Sequence, residues 1–328
     1  MYKAEFEVEA ITPIFIRGAD QRKAEIRASS IKGLMRWWFR ALAGRCVRGT
    51  AELKAIEGKF FGSTQRRSPL VLNVVPNSRS KNIKKLKELR DLRYLWFSIM
   101  LQARKGELQY YYPPGSRFQI ELSSMNDEAF RIGIATIWSL ANLGGVGFRA
   151  RRGAGSIQIV EGTEHFNELK LPTGILSGDN LKEGITTCMN IICNGMDRGQ
   201  VSRHSTISDV YISKKVYPSY VSALKDFQTK YVNFRKGTRK QDRIILGLPL
   251  RLRGKGTTGM RNVLKTLGNV RRASPLIVGL SKMDTGRYRI RLVVTRSMNY
   301  HLDNEINILT NWNTIYRFAN GFSTKIWP

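Results

Sequence analysis

The sequence predicts an α+β protein in which a β-α-β-β-α-β unit is followed by a second, degenerate copy of the same plan. Three observations lead to that expectation. Residues 2–10 alternate apolar and charged side chains with the period of a half-buried strand, a helical repeat follows over 28–44, and from Asp209 strand, helix and hairpin patterns return in the same order.

In the opening strand Tyr2, Ala4, Phe6, Val8 and Ala10 share one side, and Lys3, Glu5, Glu7 and Glu9 the other. Residues 11–16 extend it, and a polar, cation-rich connection leads into ASSIKGLMRWWFRALAG, residues 28–44. Ser29 or Ser30 is the candidate N-cap and Gly44 the candidate positive-φ stop. Ile31, Leu34, Met35, Trp38 and Leu42 recur at helical spacing, which assigns them to the core. A short helix is expected over 50–58, a tight turn in FFGST at 60–64, a strand over 68–75, a lysine-rich loop or short helix over 81–90, and an apolar strand over 94–101. YYYPPG at 110–115 is expected to be a packed turn, its alternative being a platform for unpaired nucleotides. Residues 118–122 alternate again, and Asn126 with Asp127 and Glu128 starts a helix that buries Ile134, Ile137, Trp138 and Ala141 and stops at Gly144 and Gly145. A strand over 156–160 completes a split βαβ, ferredoxin-like set.

Beyond a connector over 161–184, the pattern gives a helix over 181–196, a strand over 209–213, a helix over 218–234, a strand over 243–250, a hairpin of 274–281 with 287–296, and a closing helix over 302–318. The expected domains are therefore 1–160, with its glycine-rich loop, and 161–328, connector plus second unit.

Charge is the strongest global signal: 55 Lys and Arg oppose 25 Asp and Glu, a net +30. Residues 1–160 hold 28 basic and 13 acidic side chains and the remainder 27 and 12, so each half carries +15. That points to a nucleic-acid partner. The longest uncharged run, 132–148, is too short and too polar for a membrane span, so no membrane partner is expected. Cys46, Cys188 and Cys193 form an odd set without a C-x-x-C pair, which argues against a disulfide framework and against a zinc site. A reducing cytoplasm, with no export signal at the N-terminus and no cofactor, is the corresponding expectation.

Two stretches suggest chemistry. In the 28–44 helix, Lys32, Arg36 and Arg40 fall four residues apart and cover an arc of roughly 80°, with Gly33 inside it and Trp37 at its edge. No acid stands at i±4 to balance them, and like charges at that spacing weaken a helix. An anionic partner explains the cost; a plain solvated face is the alternative. Gly33 lets a phosphate or a backbone come close. The second stretch, GGVGFRARRGAG at 144–155, has five glycines and three arginines, a composition that presents backbone N–H groups and guanidinium forks together. It is neither a P-loop nor a dinucleotide fingerprint, because it follows a helix and no Gly-Lys-Ser/Thr closes it.

ITPIFIRGAD from Ile11, EIRASSIKGLMRWWFRAL from Glu25, FFGST from Phe60 and GGVGFRARRGAGS from Gly144 resemble, in that order, the RAMP superfamily of CRISPR proteins. More narrowly they resemble the first-subunit family of the type III-B Cmr effector complexes. The resemblance implies tandem RAMP domains of ferredoxin-like fold and a non-catalytic subunit near the 3′ end of the guide. Its implied partners are guide RNA, single-stranded target RNA and other Cmr subunits. It singles out Lys32, Gly33, Arg36, Trp37 and Arg40 as an RNA-facing surface. It also singles out Gly145, Gly147, Arg149, Arg151, Arg152, Gly153 and Gly155 as a backbone-gripping loop, with Arg271 and Arg272 of the RRASPL segment as further contacts. Phosphate contacts then give affinity without sequence preference, and Trp37 stacks on a base for about 1–3 kcal/mol.

Two rival readings follow from the same residues. Some superfamily relatives cleave RNA with an acid between first strand and first helix, where this sequence has Asp20, with Glu25 nearby and His165, His204 and His301 scattered. The other is a protein-interaction scaffold whose charge only balances an acidic partner.

Overall fold

The computed structural model describes residues 1–20, 23–174, 176–194, 204–239, 241–247, 273–297 and 311–328. The first part of the chain runs β1 (Tyr2–Ala10), α1 (Ala28–Ala43), α2 (Thr50–Phe61), β2 (Leu70–Pro76), β3 (Lys81–Asn82), α3 (Glu88–Asp91), α4 (Phe97–Arg104), β4 (Tyr110–Tyr111), β5 (Arg117–Ser124), α5 (Asp127–Leu143) and β6 (Ile157–Glu161). It continues through α6 (Glu164–Glu168), α7 (Gly178–Ile192), β7 (Thr206–Ser213), α8 (Tyr220–Gly237), β8 (Leu276–Lys282), β9 (Tyr288–Arg296), α9 (Asn313–Phe322) and β10 (Ser323–Trp327).

Two antiparallel four-stranded sheets organise these elements, ordered β2-β5-β1-β6 and β10-β7-β9-β8. The period-two pattern of β1 sets its register, with Phe6 opposite Ile120 and Val8 opposite Phe118 on the buried face. α1, α5 and α7 pack between the sheets. Trp38, Phe39, Trp138 and Ile185 of these helices share one apolar cluster with Ile207, Val210, Ile277, Val293 and Trp327 of the second sheet. The other face of that sheet carries Tyr211, Leu276 and Leu292 against Phe227 of α8 and Phe318 of α9. A sheet covered on both faces has continuous rather than alternating apolar strands, which is how 276–280 and 292–294 read.

Several local expectations hold. The Asn126 side chain accepts a hydrogen bond from the Ala129 amide at 2.7 Å, and Tyr111 and Tyr112 of the YYYPPG turn are buried. Others need correction. Residues 94–101 are not a strand: Leu92, Leu95, Trp96 and Ile99 are buried at helical spacing, and α4 forms instead. Residues 241–246 form a 3-10 turn where the start of a strand over 243–250 was expected, 248–250 lying outside the described residues, and the edge beside β7 is taken by β10, which the sequence pattern did not reveal. Of the expected closing helix, 302–310 lie outside the described residues and the helix observed is α9.

α1 begins at Ala28 with Arg27 extended before it, so neither Ser29 nor Ser30 caps it, and Gly44 has a φ of −60° rather than a positive value. Cys46 and Cys193 are joined in a disulfide across 147 positions, which corrects the expectation that the cysteines form no disulfide framework; Cys188 is free and buried. Their Cα atoms lie 5.7 Å apart because α7 packs beside the end of α1, a tertiary neighbourhood that spacing along the chain does not reveal. Among the described residues no helix is long and apolar enough to cross a membrane.

Candidate nucleic-acid interface

Gly145, Gly147 and Gly155 serve close packing of backbone on backbone, while Gly144 and Gly153 make room for the side chains of Trp38 and Leu224. Gly147, at φ +86°, sits where a Cβ would lie 2.4 Å from the Phe15 carbonyl oxygen, and Gly155, at φ +63°, where it would lie 1.8 Å from that of Val146. That proximity lets the Phe148 amide donate to Phe15 O (2.7 Å), Val146 to Gly155 O (2.8 Å) and Gly155 to Pro13 O (2.9 Å). On its other side the loop joins the second sheet: Gly153 donates to Val278 O at 3.0 Å, and the Val278 amide to Arg151 O at 3.2 Å. A residue other than glycine at 147 or 155 meets backbone that has nowhere to move.

This fixed loop projects its arginines into a cleft of about 550 Å³. Leu34 of α1, Tyr94, and Tyr231 and Arg235 of α8 complete the walls with Arg149, Arg151 and Arg152, and among the described residues no carboxylate lines it. Each arginine is oriented by a neutral acceptor. Arg149 Nε donates to Ser98 Oγ (2.7 Å), Arg151 Nη1 to Ser274 O (3.0 Å), and Arg152 Nη2 to Leu246 O (3.4 Å). Arg152 Nη1 is buried and makes no hydrogen bond. Burial, then the Arg152 charge, lowers the pKa of Arg149. At Tyr231 burial works upward, but the guanidiniums of Arg152 and Arg235, 5.2 and 5.8 Å from its ring centre, outweigh it and lower the phenol's pKa. Crowded, partly desolvated guanidiniums favour an anion with several oxygens.

The sequence has matching relatives. A profile of the RAMP superfamily fits residues 7–158. The CRISPR system Cmr subunit Cmr1-1 of Pyrococcus furiosus is 35% identical over 347 aligned positions, covering 100% of this chain and 98% of the relative. The chain belongs to the RAMP superfamily. Its fold superposes on the apo crystal structure of Cmr1 from Pyrococcus furiosus with a TM-score of 0.72 at 33% identity, covering 100% and 99% of the two chains. A chain of a type III-B Cmr-beta complex, solved by cryo-electron microscopy with cognate target RNA, matches with a TM-score of 0.65 at 13% identity, covering 97% and 98%, a likeness of fold.

In this RAMP chain the basic face of α1 is less bare than its sequence suggests. Glu57 of α2, buried to 6% exposure, accepts from both Arg36 Nε and Arg40 Nη1 at 2.6 Å. The expectation of unbalanced cations on this face is therefore corrected: the counter-charge comes from the next helix. Lys32 Nζ donates to Ser68 Oγ and Leu70 O, both at 2.8 Å, tying α1 to the start of β2, and burial followed by the Arg36 charge lowers its pKa. Trp38 is in the core; Trp37 is half-buried and lies edge-on to it at 4.9 Å, with the Arg151 guanidinium over its ring. Gly33 is exposed, with open space where a Cβ would be.

The structure thus joins Arg149, Arg151 and Arg152 in one cleft and connects Trp37 to it, while Lys32, Arg36 and Arg40 form a neighbouring, partly neutralised strip. Arg271 and Arg272 lie outside the described residues. Arg235, Tyr94 and Tyr231 were missed. The interleaving of aromatic and basic residues in YVNFRK, 231–236, was the available signal. Asp20 lies 3.9 Å from Lys23, and no group of three or more acidic, His or Cys side chains converges as a metal site among the described residues. His165 is placed between Glu168 and the Lys3 carbonyl.

Proposed function

We propose that this chain is the non-catalytic, RNA-binding first subunit of a cytoplasmic CRISPR type III-B Cmr effector. In this reading it contacts guide RNA, target RNA or both near the 3′ end of the guide and serves antiviral defence beside other Cmr subunits. The observation that supports it most is the cleft with four arginines and, among the described residues, one buried Arg152 nitrogen without a hydrogen bond and no carboxylate in the walls. Guanidiniums, phenols and aliphatic groups of this kind hold phosphates and stack on bases; sequence choice is left to guide pairing. The two sheets, with the same relative strand order, support a reading as tandem ferredoxin-like RAMP domains over 1–160 and 161–328.

The test is a salt titration of binding to single-stranded RNA, with duplex RNA and DNA as comparators. Arg151→Ala combined with Arg235→Ala is expected to weaken single-strand binding and to lower the salt slope by about one to two. Unchanged affinity and slope overturn the site, and a wild-type chain that binds no RNA favours the protein-interaction scaffold. Cleavage of the RNA in divalent cations, abolished by Asp20→Ala, restores the endonuclease reading.

A further inference from the structure

The lysine-rich stretch after β2 belongs to a long excursion from the first sheet. β2 and β5 pair as neighbours, and residues 77–116 stand between them. The Asn77 amide donates to Arg117 O at 2.9 Å and β3 pairs with β4, which closes the excursion at its base. Its apolar side lies against the second half of the chain: Leu89, Leu92, Leu95, Trp96 and Ile99 join Phe227 and Tyr231 of α8 in one cluster. Gln228 of α8 fixes it there. Its Oε1 accepts from the Tyr94 and Leu95 amides at 3.1 and 3.3 Å, and its Nε2 donates to Asp91 O at 2.9 Å.

The outward side of the same segment is apolar as well. Tyr94, Phe97 and Leu101 are 42, 51 and 39% exposed and recur at i, i+3 and i+7, so they form one strip. Tyr94 also walls the Gly/Arg cleft, and the strip therefore begins where the cleft ends. Two bonds lock α4 and the turn before it to the loop. Arg149, held at a φ of +62°, donates from Nε to Ser98 Oγ, and Trp96 Nε1 donates to Arg152 O at 3.2 Å. A side chain in the left-handed region is strained, and such strain persists only where the surroundings impose it.

Charge around the strip is one-sided. Residues 77–107 hold nine Lys and Arg against three acids, and each acid is engaged within the protein. Glu88 accepts from the Tyr220 hydroxyl at 3.2 Å, Asp91 pairs with Lys225 at 2.9 Å, and Glu107 with Lys105 at 3.9 Å. Arg93 stands four positions before Phe97 and Arg104 three after Leu101, and both are exposed. Rings and cations interleaved in this way serve the two faces of an unpaired strand, its bases and its phosphates, whereas a duplex hides its bases. The sign of the charge and the continuity with the cleft favour this occupant over a protein. We infer that α4 is a stacking platform for a single strand leaving the Gly/Arg cleft past Tyr94: bases lie on Phe97 and against Leu101, and Arg93 and Arg104 meet the adjoining phosphates. The platform rests on the RNA-binding reading above and adds to it a surface outside the cleft.

The experiment uses the full chain and a 5′-labelled oligouridylate of about 20 nucleotides, read by anisotropy over a salt series, with duplex RNA of equal length beside it. Phe97→Ala is expected to weaken single-strand binding at least about fivefold with the salt slope unchanged, because a ring and not a charge is removed. Duplex affinity and the urea midpoint stay as in wild type, since the side chain is exposed. Phe97→Leu, apolar without a ring, gives an intermediate loss, and Arg93→Gln lowers the salt slope by about one. Wild-type affinity in Phe97→Ala, beside a loss in Arg151→Ala with Arg235→Ala, overturns the platform and leaves the cleft standing. Equal losses for single strand and duplex also overturn it, because the ring then meets no base. A wild-type chain that binds no RNA removes the RNA-binding reading and the platform together. A change of oligomeric state in Phe97→Ala, with RNA binding intact, assigns the strip to a second copy of the chain and rejects the platform.

Discussion

The guanidinium of Arg151 lies over the indole of Trp37, 4.8 Å from its ring centre, so the loop after α5 and the basic face of α1 meet at one contact. The indole is therefore engaged before any base arrives, and part of its role is to orient Arg151 toward the cleft. Trp37→Leu and Arg151→Ala should each weaken single-stranded RNA binding, and together by less than the sum. A double-mutant cycle is expected to give a coupling of about 0.5–1 kcal/mol. Strict additivity in that cycle would separate the two residues.

Glu57 holds two guanidiniums with a single carboxylate oxygen. Glu57→Gln keeps the shape and removes the charge. Urea denaturation should register a loss of roughly 1–3 kcal/mol, since Arg36 and Arg40 are partly exposed and regain some hydration. RNA affinity at low salt should rise, with a steeper salt slope, because the strip gains one net positive charge. A drop in both quantities would mean that Glu57 positions the arginines for binding instead of restraining them.

Two glycines separate backbone need from ligand access. Gly155→Ala forces a Cβ onto the Val146 carbonyl at positive φ and is expected to cost about 3 kcal/mol or more. Gly33→Ala meets open space within a helix and should raise stability by up to about 1 kcal/mol. If a phosphate approaches α1 at Gly33, that stabilised variant binds RNA more weakly. Thermal midpoints and anisotropy on the same samples read both effects.

The Cys46–Cys193 bond closes a long loop between the end of α1 and the end of α7. Loop-closure entropy for a loop of 147 positions makes such a link worth up to about 5 kcal/mol, and about 2–4 kcal/mol is typical of disulfides. Dithiothreitol should therefore lower the urea midpoint of the wild-type chain and leave that of Cys46→Ser unchanged. Equal sensitivity in both would show that the reductant acts elsewhere.

Legibility in the sequence followed the range of the interactions involved. Period-two alternation placed β1 and β5, and the Asn126 cap placed the start of α5, because these signals are local. Residues 94–101 misled because a short apolar run satisfies strand and helix alike until burial at Leu92, Leu95, Trp96 and Ile99 is known. In the cleft, Arg149, Arg151 and Arg152 were found from composition, whereas Arg235 arrives from a helix some eighty positions later and only tertiary packing brings it in. Glu57 and the disulfide were hidden for the same reason: the pattern of α1 holds no trace of what α2 and α7 lay against it.

The loop at 144–155 divides its labour by residue type. Gly145, Gly147 and Gly155 answer to neighbouring carbonyls of the same chain, at Gly155, Phe15 and Val146, while its arginines answer to whatever enters the cleft. A descendant that abandoned its ligand would be free to replace Arg149, Arg151 and Arg152, yet would still be held to Gly147 and Gly155 by folding. Glycine spacing in such a chain is therefore a marker of architecture, and retention of the arginines between the glycines is the separate marker of the task.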